Sequence, residues 1–250
     1  MIALMLVACL SLQDDAAATA AVAEFDAVLA KSKDPNARIA AAHELAKTPH
    51  EKVASRLGAV LSHDEKELRI AAAQTLAKFK EPAEVRKTAA HALAGALSAG
   101  ANLKEPEVQA AIFAAIGHLQ EESSANVLKS HFDDRDVQMA VAAVGAAGDL
   151  KAKQLVEPMI DQLRDCEKKL QSPETSGGSS RAKPMKTAKG AGSGGGDPAA
   201  DPEAQKRMRA QALQPALQGA LAAITGQTFA ASTDWEKWWS KNRATFTPSK

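Results

Sequence analysis

Apolar residues recur along this chain at helical spacing, in segments that are separated by short polar or proline-containing turns. Residues 20–31 (AAVAEFDAVLAK) place Ala21, Phe25 and Leu29 on one helical face. Asp34 is a natural N-cap for the next helix, and Pro35 suits its first position, where the missing N–H costs nothing. The pattern therefore predicts two consecutive helices between residues 20 and 47.

The same spacing continues to the end of the chain. It predicts further helices over 51–61, 65–80, 81–100, 105–119, 121–131, 134–147, 151–170 and 203–225. Gly148 is expected to stop one of these helices, and Pro158 is expected to kink the next or to reset its start. Pro215 marks a further kink.

One helical sequence is repeated. Residues 68–79 read LRIAAAQTLAKF, and residues 37–47, thirty-one positions earlier, read ARIAAAHELAK. Looser copies follow at 108–119 (VQAAIFAAIGHL) and 137–148 (VQMAVAAVGAAG). Self-similarity at about this period, with helical composition, is typical of an α-solenoid, in which stacked neighbours bury the apolar stripe that one helix pair cannot bury alone.

An acid stands four residues before an Arg or Gln at the start of four helices. The pairs are Asp34/Arg38, Glu65/Arg69, Glu105/Gln109 and Asp134/Gln138. Four residues make about one helical turn, so the two side chains of a pair share one face. We interpret these pairs as structural struts rather than as binding residues.

With these pairs the chain resembles the bacterial HEAT-like repeat proteins of the HEAT and PBS-lyase HEAT-like family. In that family the acid and the Arg stack from repeat to repeat as a ladder. The resemblance covers about residues 34–171 and implies an all-α fold, an α-solenoid of about five HEAT-like helix pairs that occupies residues 19–171. Gln109 and Gln138 depart from the pattern, and the ladder is expected to be weaker there because Gln forms no ion pair.

Composition changes abruptly at residues 172–202, which are rich in Gly, Ser, Pro, Ala and Lys and have no periodic apolar face. Such a segment buries too little apolar surface to offset its ordering entropy, so it is predicted to be disordered. We interpret it as a solvated insert within the last helix pair. Residues 203–250 are then the last solenoid helix and a C-terminal cap.

The three tryptophans of the chain, Trp235, Trp238 and Trp239, are spaced i, i+3 and i+4 on one helical face. A solenoid needs its last repeat covered, so this Trp-rich helix is predicted to be the C-terminal cap, with Phe229 and Phe246 beside it. The alternative is an aromatic binding surface, because Trp is enriched at interface hot spots.

The N-terminal segment MIALMLVACL is a short apolar run, and we predict a signal segment at residues 1–18 and an exported protein. No Lys or Arg precedes the run. The residues before Cys9 resemble a bacterial lipobox, so Cys9 is a candidate lipid anchor, which would place the protein in the periplasm, at the membrane or outside the cell. The alternative is an apolar helix start in a cytoplasmic protein.

Composition narrows the classes of function. The chain has 250 residues, a net charge of +1, 45% hydrophobic residues, 4% aromatic residues and no Tyr. Much of the hydrophobic content is Ala, which favours closely packed helices over strands. The near-neutral charge and the lack of a basic stripe on the inner helices disfavour nucleic acid as a partner.

No motif for catalysis, cofactor binding or metal binding occurs. The six histidines form no HExxH, and the glycines form neither a phosphate loop nor a nucleophile elbow. Cys166 is expected to be a small buried hydrophobe. We therefore predict a monomeric, non-enzymatic scaffold that binds a protein or peptide. The alternative is a lyase or chaperone-type factor acting on a protein that carries a small molecule, since some HEAT-like proteins are associated with bilin attachment.

Overall fold

A computed structural model of the chain describes residues 2–171 and 202–248, with side chains from residue 14 onward. These residues form eleven α-helices and no strand. The helices are α1 (Ile2–Lys31), α2 (Pro35–Glu44), α3 (Glu51–Val60), α4 (Lys66–Leu76), α5 (Ala83–Leu97), α6 (Pro106–Leu119), α7 (Ala125–Ser130), α8 (Val137–Leu150), α9 (Val156–Gln171), α10 (Pro202–Thr225) and α11 (Ser232–Asn242).

The helices form two layers. The even-numbered helices pack side by side in the order α2, α4, α6, α8, α10, and we call this the inner layer. The odd-numbered helices form the outer layer, in which α3 contacts α1 and α5 and in which α9 contacts α11. Antiparallel helices joined by short turns and stacked in series are an α-solenoid. The all-α solenoid predicted from the repeats is confirmed.

Local signals start several helices where the sequence indicated. The carboxylate of Asp34 accepts a hydrogen bond from the N–H of Asn36 at 3.0 Å, and Pro35 is the first residue of α2, as predicted. The ring nitrogen Nδ1 of His50 accepts in the same way from the N–H of Lys52 at the start of α3. Such caps satisfy N–H groups that have no partner within the helix.

The first helix is longer than the predicted 20–31. It begins at Ile2 and so includes the segment assigned to a signal. Ala18 in this helix is fully buried in the core. Cleavage at residue 18 and lipidation of Cys9 stay predictions, and the side chain of Cys9 lies outside the described ones.

The prediction of a helix over 121–131 was wrong in length. Residues Glu122–Ser124 form a 3-10 turn, and α7 that follows has only six residues. Glu121 is extended, and its carboxylate is bound by Arg86 of α5 at 2.9 Å. Helical geometry therefore begins only after Glu121, and the outer helix of this repeat is short.

The prediction that Gly148 stops a helix was also wrong, because α8 continues to Leu150. A Cβ atom on Gly148 would lie 2.9 Å from the Cα of Ala220 in α10. A Cβ atom on Gly117 of α6 would lie 2.7 Å from the carbonyl oxygen of Ala146 in α8. Both glycines let inner helices approach closely, and neither ends a helix.

The two helix prolines behave differently. Pro158 lies in the first turn of α9, where its missing N–H breaks no hydrogen bond of the helix, so the predicted reset of the helix start is confirmed. Pro215 lies inside α10, which continues as one helix from Pro202 to Thr225.

The helix after the insert, α10, is part of the solenoid. α10 packs against both α8 and α9, in the place of the fifth inner helix. The predicted disorder of 172–202 lies outside the described residues, except for Pro202, which begins α10.

Candidate binding surfaces

The inner layer exposes one face, and its residues follow a simple register. When α2, α4, α6 and α8 are aligned at their first residues, the second, fifth, ninth and thirteenth positions form four rows across the helices. We call this surface the inner face. Its rows are Asn36, Glu67, Glu107, Gln138; Ile39, Ile70, Ala110, Val141; His43, Gln74, Ala114, Gly145; and Lys47, Lys78, His118, Asp149.

The fifth-position row of the inner face is apolar, whereas the ninth-position row is polar at His43 and Gln74. The side chains of the fifth-position row are half-buried against the core, and the ninth-position row ends in Ala114 and Gly145, which are exposed and small. The contact between Gly148 and Ala220 brings α10 into the same register, so Pro215 and Gly219 continue the two rows. In the ninth-position row the residues are therefore larger at α2 and α4 than at α8 and α10.

Charged side chains border this apolar strip. Glu67 and Glu107 are exposed at the helix starts, and Lys47 and Lys78 are exposed beyond the ends of α2 and α4. Lys66 of α4 forms an ion pair with Glu107 of α6 at 2.7 Å. The hydrogen bond and charge of Lys66 hold the pKa of Glu107 below its usual value. One edge of the strip is therefore mainly acidic, and the other edge is basic at its first two helices.

His43 lies between the apolar strip and the basic edge. Its Nδ1 is 3.2 Å from the hydroxyl oxygen of Thr75, and that hydroxyl donates to the carbonyl of Ala71 at 2.8 Å. Since the Thr75 proton is already engaged, the Nδ1 atom of His43 is the donor in this contact. Burial, and secondly the charge of Lys78, lower the pKa of His43.

The ladder residues lie mainly between repeats. Arg38 of the first pair is bonded to Glu65, which precedes the inner helix of the second pair. Arg69 donates to the carbonyl of Ala101 in the turn before α6 at 2.8 Å and is buried. Asp34 acts as a helix cap, as described above, and Gln109 is buried. Each arginine thus fastens its repeat to the next one.

The fourth predicted pair, Asp134/Gln138, needs a correction. α8 begins at Val137 and is capped by Asp136, so Gln138 is at the second helical position and is exposed. The residue in register with Arg38 and Arg69 is the buried Ala140. The sequence Asp-Asp-Arg-Asp offers several caps at this turn, and the pattern alone selected the wrong one.

Sequence reasoning missed the side chain that fastens this turn. Arg209 of α10 donates to the carbonyl oxygens of Asp134 and Phe132, the second at 3.1 Å. Asn102, fully buried in the turn before α6, was also missed, and it donates to the carbonyls of Leu61 and Ala96 at 2.9 and 2.8 Å. An Arg on the last inner helix was a usable signal, whereas nothing in the sequence distinguishes Asn102.

The outer layer has its own arginine contacts. Arg56 of α3 pairs with Asp26 of α1 at 2.7 Å, and Arg86 of α5 pairs with Glu121. Burial acts to raise the pKa of Glu121, but the hydrogen bond and charge of Arg86, with Ser123, hold it below its usual value. These pairs join successive repeats, as the inner arginines do.

The three tryptophans of α11 have different environments. Trp235 is fully buried, and its indole N–H donates to the carbonyl of Phe229 at 3.2 Å. Trp239 is 8% exposed and stacks on Trp238, which is half-buried. Phe246 packs edge-on against both of these rings. α11 thus covers α9 with an aromatic cluster.

Within residues 14–171 and 202–248, no three His, Cys, Asp or Glu side chains are placed to hold a metal ion. The helices of residues 2–171 and 202–248 include none with the length and apolar content to span a bilayer. Cys166 is buried, as predicted, and burial raises the pKa of its thiol.

The fold and the inter-repeat contacts define the class of this protein as an α-solenoid made of stacked helix pairs. A family model described as HEAT repeats matches residues 22–99, from α1 into the turn after α5. Residues 22–99 are therefore HEAT-like repeats. No curated protein matches the chain. HEAT repeats generally form helical scaffolds for protein interactions.

Proposed function

We propose that this protein is a non-enzymatic scaffold that binds a protein or peptide on its inner face. The observation that carries the proposal is the register of that face, where Ile39, Ile70 and Val141 line one row between charged edges. A row of half-buried aliphatic side chains offers apolar contact, and charged rims favour one orientation of a partner.

Scaffolding also fits the distribution of charge. The ion pairs of the inner layer, Arg38 with Glu65 and Lys66 with Glu107, each join neighbouring repeats. These ion pairs therefore contribute to the contacts between neighbouring inner helices. The inner face can then contact an extended partner over several repeats, because each helix pair adds a similar strip of surface.

Site-specific photocrosslinking tests this function. A photoreactive phenylalanine analogue replaces Ile70 or Val141 in the full chain, which is expressed in its native source and irradiated. We expect both positions to give the same crosslinked protein. A matched control carries the analogue at Lys87, which is exposed on the outer helix α5. Equal crosslinking at Lys87, or none at the two inner positions, would contradict the proposal.

We further propose that the scaffold acts as an exported monomer and that Cys9 is the point of lipid attachment if the N-terminus is processed there. N-terminal mass analysis of the protein from its source separates the alternatives. A new terminus after residue 18 supports export, and a lipidated Cys9 supports an anchor. An intact Met1 supports the cytoplasmic alternative.

A further inference from the structure

The part of α1 that precedes the repeat pattern, residues 14–18, belongs to the folded solenoid. Ala18 is fully buried and is a member of the hydrophobic core, although the apolar spacing predicted a first helix only from residue 20. The match to HEAT repeats begins later still, at residue 22. α1 contacts both α2 and α3. The first repeat therefore begins earlier in the chain than its sequence pattern does.

Asp15 joins this part of α1 to the start of α3. Its carboxylate lies 3.0 Å from Nζ of Lys52 and 3.3 Å from Nε2 of His50. The same lysine donates to the hydroxyl oxygen of Thr19, one turn further along α1, at 3.3 Å. The hydrogen bond of Lys52, and then its charge, hold the pKa of Asp15 below its usual value. An ionised Asp15 therefore connects the first outer helix to the second.

Asp15 also affects the cap of α3. The Nδ1 atom of His50 accepts from the backbone N–H of Lys52 at 3.1 Å, so in the neutral ring the proton is on Nε2. The Nε2 atom is the one that faces the carboxylate of Asp15. A negative charge there favours the tautomer that caps α3. Asp15 is thus a positioning residue for this helix cap.

Asp14 and Asp15 together form a start signal for a helix. Aspartate is a preferred N-cap residue, and a carboxylate in the first turn is stabilised by the helix dipole. A chain that begins at Asp14 keeps both carboxylates at the start of α1. A chain that begins at Thr19 loses both of them and also loses the buried Ala18. The solenoid should therefore tolerate removal of residues 1–13 better than removal of residues 1–18.

We propose that residues 14–18 are retained in the mature protein as the start of the first repeat, and that N-terminal processing takes place before Asp14 rather than after residue 18. The processing step rests on the proposed export. The retention of residues 14–18 rests only on their contacts with the second repeat and with the core, and it applies equally to an unprocessed chain.

Two truncated chains test the retained segment. One begins at Asp14 and the other at Thr19, each after an initiator methionine, and both are compared with the full chain by thermal denaturation. The chain from Asp14 should melt within roughly 2 °C of the full chain. The chain from Thr19 should melt roughly 4–10 °C lower, the range for losing a few contacts in a domain of this size. Equal melting temperatures of the two truncated chains would overturn the proposal.

Point variants of the full chain test the contact itself. Asp15→Asn removes the charge that faces Lys52 and His50, and it should lower the melting temperature by about 1–3 °C at low salt. The difference should shrink at about 1 M salt, because salt screens a partly exposed ion pair. Asp14→Asn is the matched control, since Asp14 is the exposed neighbour. Equal effects of the two variants would contradict the role of Asp15.

Mass analysis of the N-terminus of the protein from its native source tests the processing site. A new terminus at or before Asp14 would support the proposal. A terminus at Thr19 would overturn it while still supporting export. An intact Met1 would overturn the processing step together with the proposed export, and the melting temperatures of the truncated chains would then decide the retained segment independently.

Discussion

The carboxylate of Glu167 on α9 accepts hydrogen bonds from both the backbone N–H and the hydroxyl of Ser232, the first residue of α11. Ser232 is buried, and α11 has no cap from its own preceding residue, Ala231. A side chain of α9 thus caps α11, the helix that covers it. A second contact, from Arg164 to Glu236 at 2.8 Å, joins the same two helices.

Replacing Glu167 should loosen α11 selectively. Glu167→Ala leaves two donors of Ser232 without their acceptor, and we expect the free energy of unfolding to fall by about 1–3 kcal/mol. Urea denaturation followed by circular dichroism measures this loss. Asp165→Asn is the matched control, because Asp165 is an exposed carboxylate on the same helix. Equal effects of the two variants would contradict the capping role.

Trp235 should contribute more to stability than Trp238. Trp235 is fully buried, so Trp235→Ala is expected to cost about 3–5 kcal/mol in the free energy of unfolding. Trp238 is half-buried, and its truncation should cost clearly less. The wild-type protein should also show blue-shifted emission that Trp235→Phe reduces. Emission like that of free tryptophan would instead support an exposed aromatic surface.

The two ladder arginines should differ in importance. Arg38 and Glu65 are partly exposed, and an exposed ion pair contributes at most about 1 kcal/mol. Arg69 is buried, and Arg69→Ala removes the donor to the carbonyl of Ala101, a loss of about 1–3 kcal/mol. Chemical denaturation of Arg38→Ala and Arg69→Ala compares them. A larger loss for Arg38→Ala would contradict this ranking.

Two glycines of the same helix should respond in opposite directions to alanine. Gly148→Ala places a Cβ against Ala220 and is expected to lower the free energy of unfolding by about 1–3 kcal/mol. Gly145 is exposed, with no heavy atom within 4 Å of a Cβ among the described residues. Gly145→Ala should therefore stabilise the protein by about 0.5–1 kcal/mol, because alanine loses less entropy in a helix. Thermal denaturation of both variants checks the signs.

His43 should make folding sensitive to mild acid. Its pKa is lower in the folded protein than in the unfolded chain, through burial and then the charge of Lys78. The unfolded chain therefore binds this proton first, so the contribution of His43 is complete above the usual histidine pKa of about 6.5 and is lost as pH falls through the folded value. Denaturation of His43→Gln between pH 5 and 7.5 should show a weaker pH dependence than the wild type. The exposed His91→Gln is the control.

Sequence periodicity located the repeats but not every boundary. The caps at Asp34 and Pro35 are local, and they start α2 as predicted. The start of α8 depended on which acid of the Asp-Asp-Arg-Asp turn became the cap, and the carbonyls of that turn are bound by Arg209, which is distant in the sequence. Local pattern alone does not rank several acids that could each cap the same helix.

The two helix layers also differ in how much of them the sequence predicts. The aliphatic row of the inner face repeats with the helices, so its members Ile39 and Ile70 are visible as aligned residues of the repeat. The short outer helix α7 was not predictable, because Arg86 of α5, which is distant in the sequence, binds Glu121 just before it.

The amino-acid pattern alone predicts that the chain folds into helix pairs, because helical spacing, alanine content and caps act within a few residues. It also determined that the pairs stack, because one pair cannot bury its own apolar stripe. Which residues join the repeats depends instead on contacts between distant helices. Gly148 permits contact rather than ending a helix, Arg209 fastens the turn before α8, and Glu167 caps α11. These roles depend on distances between residues that are far apart in the sequence, and they are set only when the helices pack.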